Sequence, residues 1–306
     1  MARNDHIRRS LSPASLARHY EGFLRSLRQK RPETRGTYGR ALHEFLRWAG
    51  KGKDCSLTTR DVERYKRHLA GGKKLSPVSV STYLTALRRF CAYLVRVRAI
   101  AENPALSVGG NSRPRVHSRG TLTEAGVAAL LGSVTRIGER GLRDYAFLKL
   151  MVGCALSEIE LVRADVDDLI VENGAASLRV QGKGRVRKDQ AVLLPPDVRR
   201  AVEEYLAVRG APESRDPLFT SAGNRTRGRR MTTRGVRDRV TIYLGLSGVK
   251  GSDGRPVTPY SLRHTAATLM ARAGASAEEI RDRLRLGSVV TAMLYVNPAP
   301  KSPPGT

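Results

Sequence analysis

Two side chains that can carry positive charge stand at the start of a helix whose other residues are small or apolar. The segment 258–270 reads TPYSLRHTAATLM, in which Arg263 and His264 follow the turn at Pro259. The planar guanidinium of arginine matches the geometry of phosphate oxygens. The segment by itself leaves two interpretations open: the pair holds a loop against the fold, or it binds an anion.

Two further segments contain groups that could act on a bound phosphate. In QGKGRVRKDQ (181–190), Lys183 lies between two glycines at the tip of a predicted hairpin, where the backbone can approach a ligand closely. In LRLGSVVTAMLYVN (284–297), Tyr295 follows a Leu-Gly turn. Each pattern is weak alone, since a Gly-Lys-Gly turn is more often a solvated hairpin and an isolated tyrosine is usually a packing residue.

The composition favours nucleic acid as the partner. The 306-residue chain has 55 Lys and Arg against 28 Asp and Glu, a formal net charge of +27, while its 40% hydrophobic content is that of an ordinary globular protein. Such a charge disfavours a compact state unless a polyanion neutralises it. A basic surface that is merely solvated is the alternative.

The cysteine spacing and the apolar runs argue against a zinc-binding, a disulfide-linked, a secreted or a membrane protein. Cys55, Cys91 and Cys154 are far apart with no CxxC pair, so they indicate neither a zinc site nor a disulfide framework, and each is expected to fill a core position. The N-terminus lacks the apolar core of a signal peptide, and the most apolar run, 145–161, contains charged residues. We therefore expect a cytoplasmic, nucleoid-associated protein with no membrane partner.

The first hundred residues predict helices joined by short polar turns. Apolar residues recur at helical spacing in TYGRALHEFLRWAG (37–50) and leave Arg40 outside, where we expect it to contact DNA. A second helix is predicted in 57–72, with Thr58 or Thr59 as its N-cap, and a third begins at Ser76-Pro77, an N-cap followed by a proline in the first turn.

The third helix has a polar side that could contact DNA. Ser79, Thr82 and Arg88 lie away from its apolar face, and short hydroxyls and a guanidinium suit a phosphate backbone. A four-helix bundle with a solvated polar face is the alternative.

The segment NPALSVGGNSRPRVHSRG (103–120) has prolines, glycines and basic residues without an apolar period, which is typical of an interdomain linker. Beyond it we expect Thr121 to cap a helix, helical runs over Leu142–Leu161, and a strand-turn-strand in 176–195. The core-facing strand residues would be Leu178, Val180, Val192 and Leu194, and helices would follow at Pro196–Arg209 and Thr232–Leu244.

Taken in order, four segments resemble the tyrosine recombinase (phage integrase) family. RDYAFLKLMVGCALSEIELVRADVDDL (143–169) is similar to RD…L…TGLRxSELLxLxWxDID, and VQGKGRVRKDQAVLLP (180–195) to the GKGxKxR…VPL hairpin. PYSLRHTAATLM is similar to HxLRHTFAT, and LRLGSVVTAMLYVN to LGHSSxxTTxxYxH. The resemblance covers most of the chain, and the ordered combination is specific although no single piece is.

The resemblance implies a mainly α fold with a small β-hairpin or sheet (α+β), arranged as a two-domain C-shaped clamp. An N-terminal helical DNA-binding domain would span 1–105, a basic linker 106–120, a mixed catalytic domain 121–298 and a Pro-rich tail 299–306. Double-stranded DNA would be the partner, with a homo-oligomer or an active relative assembling on it. No cofactor and no metal would be needed.

The resemblance also assigns roles. Tyr295 would attack a phosphodiester to form a 3′-phosphotyrosyl bond, Arg263 would clamp the phosphate, and Lys183 would protonate the departing 5′ oxygen. Tyr260 stands where the family has a histidine and can still donate one hydrogen bond. His264 would brace the fold. Further DNA contacts would come from Arg185, Arg187, Thr232 and Arg234.

Three further departures from the family pattern affect the expected chemistry. Ala155 stands where the family has its first arginine, the histidine of LGH is missing, and the segment before Tyr295 is two residues shorter. One lost donor costs about 10²–10³ in rate, and attack tolerates little misplacement. The favoured hypothesis is a DNA-binding member with weakened or lost cleavage. An active integrase with a rearranged site is the alternative, and an unrelated RNA- or chromatin-binding protein is a third.

Overall fold

The computed structural model describes residues 13–51, 57–110, 119–182, 185–210, 213–223, 226–252 and 254–297. The chain divides into two compact units, with the division between residues 113 and 114. Helices predominate in both, and the second also contains a small antiparallel sheet. The predicted mainly helical fold with a small sheet is confirmed. None of the helices in these ranges is long and apolar enough to cross a membrane.

The N-terminal unit is helical throughout its described elements. In chain order they are α1 (Pro13–Ser26), α2 (Pro32–Lys51), α3 (Thr59–Arg67), a π-helical turn (His68–Gly72) and α4 (Pro77–Arg96). The predicted start signals are confirmed: Thr58 caps α3 in a capping box with Asp61, and Ser76 accepts a hydrogen bond from the Ser79 amide (3.2 Å) with Pro77 in the first turn.

The core of this unit is formed by apolar side chains from all four helices. Aromatic rings meet edge to face, with centroids 5.1 Å apart for Phe45 and Tyr65 and 5.5 Å apart for Phe23 and Phe90. Cys91 is buried among them, as predicted. Cys55 lies outside the described residues. The packing fixes which sides of α2 and α4 remain available to a partner.

The chain after α4 still packs on the N-terminal unit. Ala105 and Val108 are buried in its core, and Arg88 donates from Nε to the Ala105 carbonyl (3.0 Å) and from Nη2 to the Val108 carbonyl (2.5 Å). The first residues of the predicted linker, 106–120, therefore pack on this unit. Two apolar side chains are enough to attach this segment although it has no apolar period, and residues 111–118 lie outside the described ranges.

The C-terminal unit combines helices with the sheet. Its elements are α5 (Glu124–Gly132), α6 (Gly138–Gly153), α7 (Glu158–Arg163), a 3₁₀ turn (Val166–Asp168), β1 (Leu169–Glu172), β2 (Ala175–Val180), β3 (Gln190–Leu194), α8 (Pro196–Arg209), α9 (Thr233–Leu246), α10 (Ser261–Arg272), α11 (Ala277–Arg283) and α12 (Val289–Val296). The strands are antiparallel in the order β1-β2-β3.

The sheet buries one face against the helices. Leu178 pairs with Val192 across β2 and β3, and the predicted inward residues are confirmed as buried: Leu178, Val180, Val192 and Leu194. They share a core with α6 and α8, in which Cys154 is also buried. Strand β1 was not predicted, because its sequence, LIVE, follows the acidic run 165–168 without an alternating pattern.

One predicted helix cap in this unit was wrong. Thr123, not Thr121, caps α5 by accepting from the Gly126 amide (3.1 Å), because the preceding residues attach to α10 through a hydrogen bond from the Leu122 amide to Thr265 Oγ1 (2.9 Å). The helical runs predicted over Leu142–Leu161 correspond to α6 and α7. The left-handed backbone of Ala155 (φ 52°) separates the two helices.

A buried ionic network holds α6 and α9 together. The carboxylate of Asp144 accepts from Arg143 Nε (2.9 Å) and Nη2 (2.6 Å), from Arg239 Nε (2.6 Å) and from the Tyr243 hydroxyl (3.0 Å). Arg143 also donates to the Thr220 carbonyl (2.8 Å). Asp144 is fully buried and Arg143 is 3% exposed, so each charge depends on its partner.

Replacing Asp144 by alanine is therefore expected to lower the free energy of unfolding by about 3–5 kcal/mol, because Arg143 remains buried without its counter-charge. Urea denaturation followed by circular dichroism measures the change. The control is Asp238→Ala, which removes an exposed carboxylate 3.7 Å from Arg234 and is expected to cost less than about 0.5 kcal/mol. Equal effects of the two substitutions would contradict a structural role for the Asp144 network.

Candidate active site

The hydroxyl of Tyr295 lies inside the C-terminal unit, next to a histidine. Tyr295 on α12 is 8% exposed, and its Oη is 2.6 Å from Nδ1 of His264 on α10. Its ring belongs to an apolar cluster that includes Ala155, Leu284 and Ala292. The structure thus brings the candidate nucleophile to His264, for which the sequence predicted only a bracing role.

The surroundings of this hydroxyl favour its protonated form. Burial raises the pKa of Tyr295 above its ordinary value, the neighbouring Tyr260 adds to the increase, and the charge of Arg263 opposes it. At neutral pH the hydroxyl keeps its proton, so a reaction at Oη requires a proton acceptor. Nδ1 of His264 accepts from Oη when the imidazole proton is on Nε2.

Tyr260 is the most exposed aromatic residue of this group. Its ring meets that of His264 edge to face, with centroids 4.6 Å apart, and 44% of the residue is exposed. The Arg119 guanidinium lies 5.5 Å from the Tyr260 centroid, a cation–π distance, and donates to Thr258 Oγ1 (3.2 Å). The segment that precedes α5 therefore reaches the start of α10.

A buried carboxylate, that of Glu160, organises the positive charges at the site. Its Oε1 accepts from Arg285 Nε (2.6 Å). Its Oε2 accepts from the Ser157 amide and hydroxyl (both 2.7 Å), from Arg263 Nη1 (2.8 Å) and from Arg285 Nη2 (3.0 Å). The side chains of Glu160 and Arg285 are 2% and 3% exposed, and that of Arg263 is 13% exposed.

The same two guanidiniums also bind the backbone at position 155. Arg263 Nη1 and Arg285 Nη2 each donate to the Ala155 carbonyl, both at 2.9 Å. Arg263 Nη2 donates to the Leu284 carbonyl, and Arg285 Nη1 to the Arg283 carbonyl (2.6 Å). The two cations are therefore side by side at Ala155, where the resemblance expects an arginine.

The pKa shifts follow from this packing. Burial alone raises the pKa of the Glu160 carboxyl, but the hydrogen bond from Arg285 and the charges of Arg263 and Arg285 outweigh it, so that the net shift is downward. Burial lowers the pKa of Arg263, Glu160 raises it, and Arg285 lowers it as a like charge. Glu160 is ionised at neutral pH, and the three groups together carry one net positive charge.

The predicted acid, Lys183, lies outside the described residues. The backbone just before it is close to the arginines, since a Cβ built on Gly182 would be 3.9 Å from Glu160 Oε1. Lys188, further along the same hairpin, is bound to Asp165 (2.5 Å) and Asp168, and these bonds raise its pKa against the effect of burial. Lys188 is therefore a structural cation between two carboxylates.

The predicted DNA contacts of the N-terminal unit differ in their surroundings. Arg40 is exposed, with one long hydrogen bond to Thr37 (3.5 Å). Ser79 and Thr82 are half-buried at the start of α4, and the Thr82 hydroxyl donates to the Val78 carbonyl (3.0 Å). The Arg88 guanidinium donates within the unit, to the carbonyls of Ala105 and Val108.

The predicted contacts of the C-terminal unit are exposed. Arg185 binds Asp189 (2.7 Å) and Arg187 is exposed on the same hairpin. Thr232 is the N-cap of α9, accepting from the Gly235 amide (3.0 Å), and the Arg234 side chain is 89% exposed in the first turn of that helix. They remain predictions as DNA contacts.

Two residues at the centre of the site were missed by sequence reasoning. Glu160 belongs to a Ser-x-x-Glu capping box, and that signal was present in CALSEIEL. Arg285 stands in a left-handed conformation (φ 53°), and no local pattern indicates its contact with Glu160, 125 residues away in the sequence.

Comparison with family models agrees with the division of the chain. The model described as "Phage integrase family" matches residues 121–302, and "Phage integrase, N-terminal SAM-like domain" matches residues 16–99. Among curated proteins, tyrosine recombinase XerC of Pelobacter propionicus is 30% identical over 285 residues, covering 92% of this chain and 89% of that protein. Tyrosine recombinase XerD of Pseudomonas putida is 30% identical over 279 residues, 87% of each.

Solved structures share the fold. XerH site-specific recombinase in a post-cleavage complex with palindromic difH substrate superposes with a TM-score of 0.75 at 16% identity, covering 94% of this chain and 93% of that one. A lambda integrase dimer bound to a COC′ core site gives a TM-score of 0.70 at 14% identity, with coverage of 90% and 96%. At these identities the likeness shows the fold alone.

The raised pKa of Tyr295 predicts a measurable pH dependence of stability. Well below the ordinary tyrosine pKa of 10.0, the Tyr295 hydroxyl is protonated in both the folded and the unfolded protein. Its contribution to the free energy of unfolding is therefore fully present there. Above pH 10 the hydroxyl ionises in the unfolded protein before it ionises in the folded protein. Its contribution to the free energy of unfolding is then lost as the pH rises. Between pH 9 and pH 11 the unfolding free energy of the wild type should fall by up to about 1.4 kcal/mol more than that of Tyr295→Phe, measured by urea denaturation. Parallel pH profiles would show that the hydroxyl is not buried.

Proposed function

Because the chain belongs to the phage integrase family of tyrosine recombinases, we propose that it binds double-stranded DNA and acts in site-specific DNA recombination or integration. The observation that carries the proposal is the buried pair of Arg263 and Arg285, which retains net positive charge at the carbonyl of Ala155, a residue that packs in the same cluster as Tyr295. The formal charge of +27 and the fold shared with DNA-bound recombinases support it.

Strand cleavage by this chain is weakened or lost in our proposal. Position 155 provides a methyl group and a carbonyl instead of a guanidinium, and the bonds to Glu160 leave fewer N–H donors of Arg263 and Arg285 for a phosphate. The chain would then occupy recombination sites as a homo-oligomer or beside an active relative. The Pro-rich tail, 299–306, lies outside the described residues.

A second candidate, an active integrase with a rearranged site, is favoured by the contact between Tyr295 Oη and His264 Nδ1 (2.6 Å). In this reaction Oη bonds to phosphorus as the bond from phosphorus to the 5′ oxygen breaks. The hydroxyl proton passes to His264, and Lys183 is our candidate donor to the departing oxygen. Arg263 stabilises the charge on the non-bridging oxygens, with Tyr260 as an additional donor.

Binding to duplex DNA should depend steeply on salt. Each phosphate neutralised contributes a slope of about −0.9 to log K against log salt, so six to ten contacts lose about 10³–10⁵ in affinity between about 50 and 200 mM salt. Fluorescence anisotropy with a labelled duplex measures the slope. An isotherm indifferent to salt would rule out phosphate-directed binding.

Single charge removals test which surface is used. Arg40→Ala and Arg187→Ala are each expected to reduce the magnitude of the salt slope by about 0.9 and to weaken binding equally for all sequences. The matched control is Arg199→Ala on α8, whose guanidinium is paired with Glu203 (2.6 Å). A control effect as large as that of the two test variants would count against the assigned contacts.

Cleavage is tested with a nicked duplex that traps the covalent intermediate. The wild type should form a protein–DNA adduct slowly, and Tyr295→Phe should form none. His264→Phe should lower the rate more than His264→Asn, because an amide oxygen can still accept from Oη. Adducts are resolved by denaturing gel electrophoresis. An adduct that persists in Tyr295→Phe would reject Tyr295 as the nucleophile.

A further inference from the structure

The arrangement around Glu160 has more positive charge than an ion pair needs. One buried carboxylate is balanced by one guanidinium, and a second buried cation requires an anion of its own or a strong reason to be retained. Here Arg263 and Arg285 both bind Glu160 through three charged hydrogen bonds of 2.6–3.0 Å. The surplus charge lies at the Ala155 carbonyl, which both arginines bind, and the side chain of Ala155 packs in the same cluster as Tyr295.

We propose that Arg285 replaces the guanidinium that position 155 lacks, and that Glu160 holds it next to Arg263 to form a two-arginine phosphate site. This inference rests on the proposed function, since it names the residues that complete the same site. Arg285 reaches the site from the turn between α11 and α12, whereas an arginine at position 155 would reach it from the turn between α6 and α7.

The shared carbonyl fixes the position of the two cations. Arg263 and Arg285 both lie 2.9 Å from the Ala155 carbonyl oxygen, so the Arg285 guanidinium is adjacent to the backbone that an arginine at 155 would start from. Ala155 is 1% exposed and packs in the same apolar cluster as Tyr295. A longer side chain at position 155 would have to fit into this cluster, next to the carbonyl that Arg285 binds.

Both guanidiniums keep hydrogen-bonding capacity for a ligand. A guanidinium has five N–H donors. In the part of the chain that the structure describes, Nε of Arg263 and the second N–H of its Nη2 donate to no acceptor, and neither does the second N–H of Arg285 Nη1. These are the donors that a phosphate entering the site would use.

Arg285 also keeps Arg263 effective. Without it, Glu160 would be balanced by Arg263 alone, and the pair would present no net charge to a phosphate. With it, the three side chains carry one positive charge, and the direct bonds to Glu160 orient both forks. Arg285 is therefore a positioning residue for Arg263 as well as a source of charge.

The test exchanges the two positions. Arg285→Gly should reduce adduct formation on the nicked duplex by about 10²–10³-fold, as expected when one preorganised donor is lost. Glycine suits the left-handed backbone at 285. Ala155→Arg alone should also reduce the rate, because three guanidiniums would then share one carboxylate. The double variant Ala155→Arg/Arg285→Gly should restore the wild-type rate to within about tenfold, because one arginine replaces the other.

Controls separate this role from a general loss of structure. Arg283→Ala removes a neighbouring guanidinium that binds the Gly153 carbonyl (3.3 Å) and should leave the rate unchanged. Arg285→Lys should fold but recover only part of the rate, since lysine provides charge without the fork. Thermal unfolding identifies any variant that does not fold. If Arg285→Gly does not fold, the double variant Arg285→Gly/Glu160→Gln takes its place, because it removes the buried charges of Arg285 and Glu160 together.

The outcomes distinguish the inference from the proposed function. If Arg285→Gly cleaves like the wild type, or if the double variant stays as inactive as Arg285→Gly, the role of Arg285 is overturned while the function stands. If the wild type binds the duplex but forms no adduct, the role of Arg285 is also overturned, whether or not the double variant forms an adduct. Failure of the wild type to bind duplex DNA would instead reject the proposed function itself.

Discussion

The carboxylate of Glu160 is the interaction on which the candidate site depends. It accepts hydrogen bonds from the start of its own helix, from α10 and from the turn before α12, and so joins three segments that are distant in the sequence. A buried carboxylate with a single partner would cost more in desolvation than it returns, and the number of its bonds offsets that cost. This one side chain therefore helps to hold Arg263 against the Ala155 carbonyl.

Around this carboxylate, the packing of small residues lets α10, α11 and α12 approach the turn between α6 and α7. Alanines at positions 155, 266, 267, 277 and 292 share one cluster with the ring of Tyr295. Close packing of this kind holds the hydroxyl next to His264, at the same time as it excludes water and raises the pKa of the phenol. Stability and the chemistry of the hydroxyl therefore depend on the same contacts.

Local signals in the sequence predicted much of the fold. The cap at Ser76, the inward strand residues and the bounds of α8 followed from patterns within a few residues of each other. The cap at Thr123 was missed because a contact between the preceding residues and α10 decides it. Arg263 and Tyr295 came from the family resemblance. The link from Glu160 to Arg285 could not be predicted, since a pairing between distant turns leaves no local pattern.

The left-handed backbone of Arg285 has a consequence for the history of the chain. Such a conformation costs a residue with a side chain about 1–2 kcal/mol, a cost that the bonds of the Arg285 guanidinium to Glu160 and to the Ala155 carbonyl help to offset. Arg285 binds both the Glu160 carboxylate and the Ala155 carbonyl. A change at one of these three positions therefore leaves a buried charge without its partner or crowds a neighbouring side chain. Along a line of descent these three positions should co-vary, with intermediates that carry only part of the set at a disadvantage.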